Sequence, residues 1–351
     1  MIQLHGSNVL KSLILYVILL CMDPTVCNST KEDLVEYSPP QYPTNLLQND
    51  WSQRKLKCSP AEKQFYRKIY DLEVYQDDVW LVTVPKAGTT WMQELLWLVM
   101  NEFDFEKAKE EHLELRSPFL EFDYYYMSND LTTCFQRVEQ LKRPRLIKSH
   151  LSLPFLPHQV WHKKPKVIYV ARNLKDVLVS GYYHTRAIGM TSEDTTLDQY
   201  VTEMMEDNMS EEDFFPHIME FYALRNQSWV FYTSFERMKS NLREVITDVC
   251  QFLNKTIDEK TMAVMLKHLS FEEMKTNPKT NHLWEFEQIQ KTFNGSKTTD
   301  FNFVRKGKVN GYREELTEET IKRLDKWLDE HLESYNVTLS DLLLLFGNSI
   351  T

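Results

Sequence analysis

The sequence is poor in the signatures that mark several common functional classes. Its five cysteines (Cys21, Cys27, Cys58, Cys134 and Cys250) are scattered, odd in number and never spaced as Cys-x-x-Cys. That usage builds neither a zinc site nor a disulfide framework and suits a reducing compartment. No His-Glu-x-x-His or other metal-ligand pattern occurs, and no Gly-x-Ser-x-Gly nucleophile elbow. The Gly-x-x-x-x-Gly-Lys-Ser/Thr phosphate loop is missing too. Its absence argues against an ordinary ATPase or GTPase, but not against another phosphorylated ligand. Positive charge is in deficit: 41 Lys and Arg face 51 Asp and Glu, a net charge of −10. Bulk nucleic-acid binding needs the reverse, so any anion site must be a local basic pocket. The apolar run at residues 13–22 is ten residues long, short of the ~20 that a membrane-spanning helix needs. There is no internal repeat and no low-complexity tract.

What is present suits a large folded unit. The 351 residues are 42% hydrophobic and 13% aromatic, enough for a sizeable core in one large α/β domain or two smaller ones. The expected division is an N-terminal extension over 1–36, a main domain over 37–340 and a tail over 341–351. Residues 13–22 match the length of a signal-peptide h-region, with Lys11 upstream and a weak cleavage site at 25–27. Two readings stand. Residues 9–27 act as a secretory signal, which gives meaning to the sequon Asn28-Ser29-Thr30, or they extend upstream of a start at Met22. The cysteine usage favours the second and a cytoplasmic location.

Residues 79–100 organise the rest. Residues 79–84 are β-branched and apolar, as in a strand buried on both faces. Pro85 ends the ladder, Gly88 permits a tight turn, and a helix is expected from Met92 to Met100. A strand, a tight loop and a helix N-terminus make an anion site, to which Lys86, Thr89 and Thr90 add a charge and hydroxyls. Strands are also expected at 145–150, 166–171 and 228–232. The second ends in Lys148 and His150, and the third is followed by Arg172 and a helix bearing Ser180. Helices are expected at 60–75, 105–115, 177–185, 241–253, 258–268 and 317–335, the one at 105–115 solvated. Residues 23–59 read as an extended lead-in, 192–215 as surface helix and loop, and 276–298 as loop. The aromatic stretch 116–127 suits either the wall of an apolar substrate pocket, with Phe119, Tyr124, Tyr125 and Tyr126, or packing under a long loop.

Four clusters are therefore expected at strand-to-loop transitions: Lys86/Gly88/Thr89/Thr90, Lys148/His150, Arg172/Ser180 and Arg305/Lys306/Gly307. In a parallel sheet they converge beyond the strands' carboxyl ends, on a ligand with at least two separated anionic groups. The expected fold is a single α/β domain with a central parallel sheet flanked by helices.

On these residues the chain resembles the cytosolic sulfotransferase family over about 37–332. Pro85-Lys-Ala-Gly-Thr-Thr-Trp91 is similar to its 5′-phosphosulfate loop, and Tyr169-Val-Ala-Arg-Asn-Leu-Lys-Asp-Val-Leu-Val-Ser180 to its 3′-phosphate motif. Lys148-Ser-His150 is similar to its catalytic segment, Leu269-Ser-Phe-Glu-Glu-Met274 to its adenosine contact, and Phe303-Val-Arg-Lys-Gly307 to its nucleotide clamp. The resemblance implies a P-loop-like sulfotransferase fold. It also implies transfer of the sulfuryl group of 3′-phosphoadenosine 5′-phosphosulfate (PAPS) to a hydroxyl of a small apolar acceptor, without metal. His150 is then the general base, and Lys86 stabilises the leaving phosphate with Lys148 beside it. Lys86, Ala87, Gly88, Thr89 and Thr90 form the 5′ loop, and Trp91 stacks on adenine. Arg172, Ser180, Arg305, Lys306 and Gly307 hold the 3′ end, while Phe303, Leu269, Ser270, Phe271 and Met274 complete the nucleotide site. Two alternatives share these residues: a dehydratase acting through a transient sulfated alcohol, and a nucleotide-binding protein without turnover. No nucleic-acid partner or stable membrane span is expected; a homodimer is possible, its motif partial around Lys260–Thr261.

The chain departs from the family pattern in five places: Ala87 where serine is usual, Asn310-Gly-Tyr-Arg313 after the clamp, Phe235 at a common tyrosine position, Gly181 inside a helix, and the dimer motif.

Overall fold

The computed structural model describes residues 34–122, 133–188, 191–206, 214–282 and 303–345. Residues 13–22, the sequon at Asn28, Tyr124 to Tyr126 and most of the loop expected at 276–298 lie outside them. Two short antiparallel strands, β1 (Val35–Tyr37) and β2 (Leu56–Cys58), precede a parallel sheet. That sheet comprises β3 (Val79–Val82), β4 (Leu146–Ser149), β5 (Lys166–Ala171) and β6 (Val230–Ser234), in the order β4-β3-β5-β6.

Each strand is hydrophobic at consecutive positions because both faces are covered. Trp80 and Val82 enter one apolar cluster with Ile147, Val167 and Tyr169. Val79 and Leu81 enter the other with Leu146, Ile168 and Val170. The period-2 alternation thus divides one run between two cores. Helix α1 (Thr89–Met100) covers the second face through Met92, Leu95, Leu96 and Val99. Helix α2 (Leu174–Ala187) and helix α3 (Phe215–Ala223) cover the first through Leu174, Val177, Leu178, Ile218 and Phe221.

Register places the site. Val82 stands opposite Ser149 on one side and Tyr169 on the other. β3 and β4 therefore end at one rim, where Thr83 and His150 are neighbours, and β5 runs two residues further before Arg172. Residues 118–120 lie along the free edge of β4: Leu120 N–H donates to the Lys148 carbonyl at 2.9 Å, and Lys148 N–H to the Pro118 carbonyl at 3.1 Å. That edge contact carries Phe119 to the same rim.

Several expectations need correction. The solvated helix at 105–115 is two short helices, Phe105–Glu110 and Leu113–Arg116. Asp104 caps the first, and Ala108 and Leu113 are buried, so the charged surface covers an apolar underside. Arg116 turns inward to pair with buried Glu94 at 2.8 Å. The segment expected at the surface contains a helix, Leu197–Glu206, that buries Tyr200, Val201 and Met204 against α2. Gly181 lets it approach: a Cβ there would lie 3.1 Å from Tyr200 Oη, and α2 runs on through it. The helix at 60–75 stops at Tyr70, its start fixed by the Ser59–Glu62 capping box. The described part of the lead-in packs through Tyr37 and Trp51. At the far end, Leu342 and Leu343 are buried and their carbonyls accept from Tyr232 Oη and Ser234 Oγ of β6.

At the opposite rim, buried Arg145 braces the starts of β3 and β4. Its Nε donates to buried Asp78 Oδ1 at 2.8 Å, and its Nη2 to the Glu73 carbonyl at 2.8 Å. Arg145→Met strands the Asp78 carboxylate in the interior and should lower stability by about 3–5 kcal/mol. Urea unfolding followed by tryptophan fluorescence measures it, and an unchanged midpoint contradicts the assignment.

Candidate active site

The loop between β3 and α1 adopts two left-handed backbone conformations, at Lys86 (φ 67°) and Gly88 (φ 98°). Gly88 is required twice over: by its φ, and because a Cβ there would lie 2.7 Å from the Phe235 ring. No side chain caps α1 at Gly88, so its first-turn N–H groups are open to an anion. Ala87 is fully buried beneath the loop, whereas Lys86, Gly88, Thr89, Thr90 and Trp91 line one cavity. Trp91 is fixed by donation from Nε1 to the Leu269 carbonyl at 2.9 Å and by edge contact with Phe235.

Arg172, just after β5, reaches across and donates from Nη1 to the Lys86 carbonyl at 2.8 Å. Its guanidinium lies over Phe235 at 4.2 Å, and its buried Nε–H has no protein partner. Ser180, two turns into α2, lines the same cavity. So do Phe303, Arg305, Lys306 and Gly307. Arg305 Nη1 contacts both Glu315 oxygens at 3.0 and 2.9 Å, and Lys306 Nζ lies 3.0 Å from the same carboxylate. Leu269, Phe271 and Met274 line the adjoining wall, while Ser270 is used to cap the helix Phe271–Thr276.

Lys86 Nζ sits 3.9 Å over the Phe303 ring. Burial, then the cations of Lys148, Arg172 and Arg305, push its ammonium down to about 7. A local excess of positive charge therefore exists in an acidic chain, and a bound anion would relieve it.

The other end of the cavity holds the histidine. His150 Nδ1 donates to the Thr83 carbonyl at 2.8 Å and lies 3.2 Å from Thr83 Oγ1. That bond sets the tautomer and leaves Nε2 as the basic nitrogen. Burial and the nearby Lys148 charge hold the ring well below the usual histidine range, so it is neutral near pH 7. Phe119 packs edge-on against it at 4.9 Å. Lys148 Nζ donates to Glu114 Oε1 at 3.0 Å. Thr83 Oγ1 also meets Thr89 Oγ1 at 2.6 Å, so a hydroxyl chain joins the loop helix to the histidine.

The sequence reading missed Thr83, Glu114, His184 and His282, although the last three also line the cavity. Thr83 had a signal, a hydroxyl at the end of an apolar strand. Glu114 and His282 had none, because each is brought in from outside the strand ends. His282 Nε2 meets Thr90 Oγ1 at 3.0 Å.

Residues 76–336 match the sulfotransferase domain family. The chain belongs to the sulfotransferase family. Luciferin sulfotransferase of Photinus pyralis is 32% identical over 300 residues, 82% of this chain and 80% of that protein. Sulfotransferase 1E1 of Bos taurus is 28% identical over 282 residues, 80% of this chain and 92% of that one. Retinol dehydratase, solved in a complex with retinol and PAP, shares the fold at a TM-score of 0.71 and 22% identity, over 93% of this chain and 96% of that one. A mouse sulfotransferase complexed with PAP does so at 0.60 and 20%, over 80% and 93%. This sulfotransferase thus places its two phosphate-type loops and its buried histidine around one cavity.

Gly307 offers a test of that geometry. Its φ is +57°, and an added Cβ would lie 2.5 Å from Phe271 Cδ2. Gly307→Ala should cost about 1–2 kcal/mol from backbone strain alone, with a further loss as the clamp shifts. A melting temperature equal to the parent's would contradict it.

Proposed function

We propose that this sulfotransferase moves the sulfuryl group of PAPS to the hydroxyl of a small acceptor. One observation carries the reading: a single cavity runs from the cations Lys86, Arg172, Arg305 and Lys306 to a neutral histidine whose Nε2 is its basic nitrogen. The residues fit the donor. Arg172 has a buried N–H without a protein partner, α1 has uncapped N–H groups, and the cations crowd one another. Bound there, PAPS supplies an activated sulfuryl group whose transfer spreads negative charge over oxygens, much as phosphoryl transfer does.

The chain's own groups then divide the work. Thr89, Thr90 and the Gly88 loop hold the 5′-phosphate, with Trp91 against the adenine. Arg172, Ser180, Arg305, Lys306 and Gly307 hold the 3′-phosphate, for which Arg305 and Lys306 must share their charge with Glu315. Lys86 offsets charge on the leaving oxygen, with Lys148 beside it. His150 receives the acceptor's proton at Nε2. Phe119 and Phe122 give the acceptor an apolar wall, while Glu114, His184 and His282 make its surroundings more polar than the aromatic stretch suggested. The buried thiols of Cys58 and Cys250 support a cytoplasmic location.

Mass spectrometry after incubation with PAPS and a panel of phenols and alcohols should find products heavier by one sulfuryl group. Products lighter by one water would instead establish a dehydratase. His150→Ala should reduce kcat by about 10²–10⁴-fold and leave the affinity for 3′,5′-bisphosphoadenosine (PAP) unchanged. Full turnover in that variant removes the histidine from its role.

Lys86 gives the nucleotide site a pH dependence. The free ammonium loses its proton near pH 7, and a bound anion favours the charged form. PAP binding at pH 8 should therefore take up a proton, and affinity should fall as pH rises through 7 and above. Calorimetry in buffers of different ionisation enthalpy reads this directly; equal heats at pH 8 would exclude it.

A further inference from the structure

The ring of His150 is tethered to Thr83, but that tether orients the imidazole only if its own peptide is fixed. The segment after β4 leaves the sheet at His150, so the ladder ceases to hold the backbone there. The Ser149 hydroxyl accepts Leu151 N–H at 3.1 Å and the Glu121 carboxylate meets the His150 N–H, while two side chains of α3 hold the carbonyl side and the turn beyond. His217 and Glu220, three residues apart and so on one helix face, both reach the loop 150–153. His217 Nε2–H donates to the His150 carbonyl at 3.2 Å, and Glu220 Oε2 accepts Leu153 N–H at 3.1 Å. From the lead-in, Arg54 pairs with Glu220 Oε1 at 3.1 Å and donates to Ser152 Oγ at 2.6 Å. All are buried, and none lines the cavity.

A neutral imidazole can donate from only one nitrogen, so the His217 contact depends on its tautomer. The Tyr169 hydroxyl lies 2.9 Å from His217 Nδ1 and, with the proton on Nε2, donates to it, satisfying the buried lone pair. With the proton on Nδ1, a lone pair would face the His150 carbonyl. Tyr169 is itself immobilised on β5, stacked between Phe221 at 4.6 Å and Tyr232 at 5.4 Å. Burial pushes His217 down to about 3, so it stays neutral wherever the enzyme works.

We propose that His217, its Nδ1 held by the Tyr169 hydroxyl, is a positioning residue for the base. It pins the His150 peptide while Thr83 pins the ring, and Glu220 with Arg54 secures the turn beyond. This rests on His150 being the general base. Without the His217 donor the buried His150 carbonyl has to turn toward another partner, and the imidazole turns with it. A misplacement of about 1 Å at a reacting group lowers turnover by about 10²-fold.

The test compares H217L, H217Q, Y169F and H150A in steady-state kinetics, PAP calorimetry and thermal unfolding. H217L should lose about 10- to 100-fold in kcat while acceptor KM and PAP Kd stay close to the parent's. H217Q, whose amide N–H can reach the same carbonyl, should recover most of that loss, and Y169F should show a smaller kcat loss of the same kind. The inference is overturned by a folded H217L with parental kcat, by a parallel fall in kcat and PAP affinity, or by an H217Q no better than H217L. Should H217L not fold, Y169F decides: a kcat-only loss supports the relay and parental kcat overturns it. An active H150A sinks the base assignment and this inference together, whereas an inactive H150A beside a fully active H217L overturns this inference alone.

Discussion

The site depends on one constraint, the register of the parallel pairing of three strands. Because Val82 faces both Ser149 and Tyr169, β3 and β4 leave the sheet together at Thr83 and His150, and β5 two residues further on at Arg172. A slip of one residue in β4 would reverse which face each side chain enters, taking Ile147 out of its core and His150 away from Thr83. The strands' hydrophobicity on both faces makes such a slip expensive. Burial of ordinary aliphatic residues thus enforces the register, and the register aligns the polar ones.

The second theme is charge held in surplus. The chain is acidic overall, yet Lys86, Lys148, Arg172 and Arg305 are close enough to depress the Lys86 ammonium. Two carboxylates partly compensate: Glu114 takes Lys148, and Glu315 takes Arg305 and Lys306. Arg172 keeps an unpartnered N–H. The same field works on His150 in the same sense, since burial and the nearby positive charge keep its imidazole neutral and able to accept a proton. One arrangement of lysines thereby prepares both the anion end and the base.

Much of this was legible because it is local. Residues 166–171 read as a strand and are one, since a β-branched run bounded by lysine and arginine has few other uses. The loop residues Lys86 to Trp91 follow from proline, glycine and threonine chemistry. The illegible parts are those where distant segments meet. The charged run at 105–115 resembles a solvated helix until Arg116 finds Glu94. Residues 192–215 look polar, and their apolar stripe has meaning only against α2 at Gly181. The lead-in appears extended, although Arg54 enters a buried network with α3. Ala87 and Ser270 belong to matching motifs, but packing assigns one to the core and the other to a helix cap.

By itself the sequence determined the four strands of the parallel sheet, the phosphate-type loop and the family, because each is encoded by neighbouring residues under short-range steric and hydrogen-bonding rules. Only the tertiary structure decided that Thr83 sets the His150 tautomer, that His217 and Tyr169 stand behind it, and that Glu114, His282 and Glu315 face the cations. Those partners are separated by tens of residues and meet through strand register and helix packing. No local pattern can specify a hydrogen bond between side chains whose distance is set by the whole core.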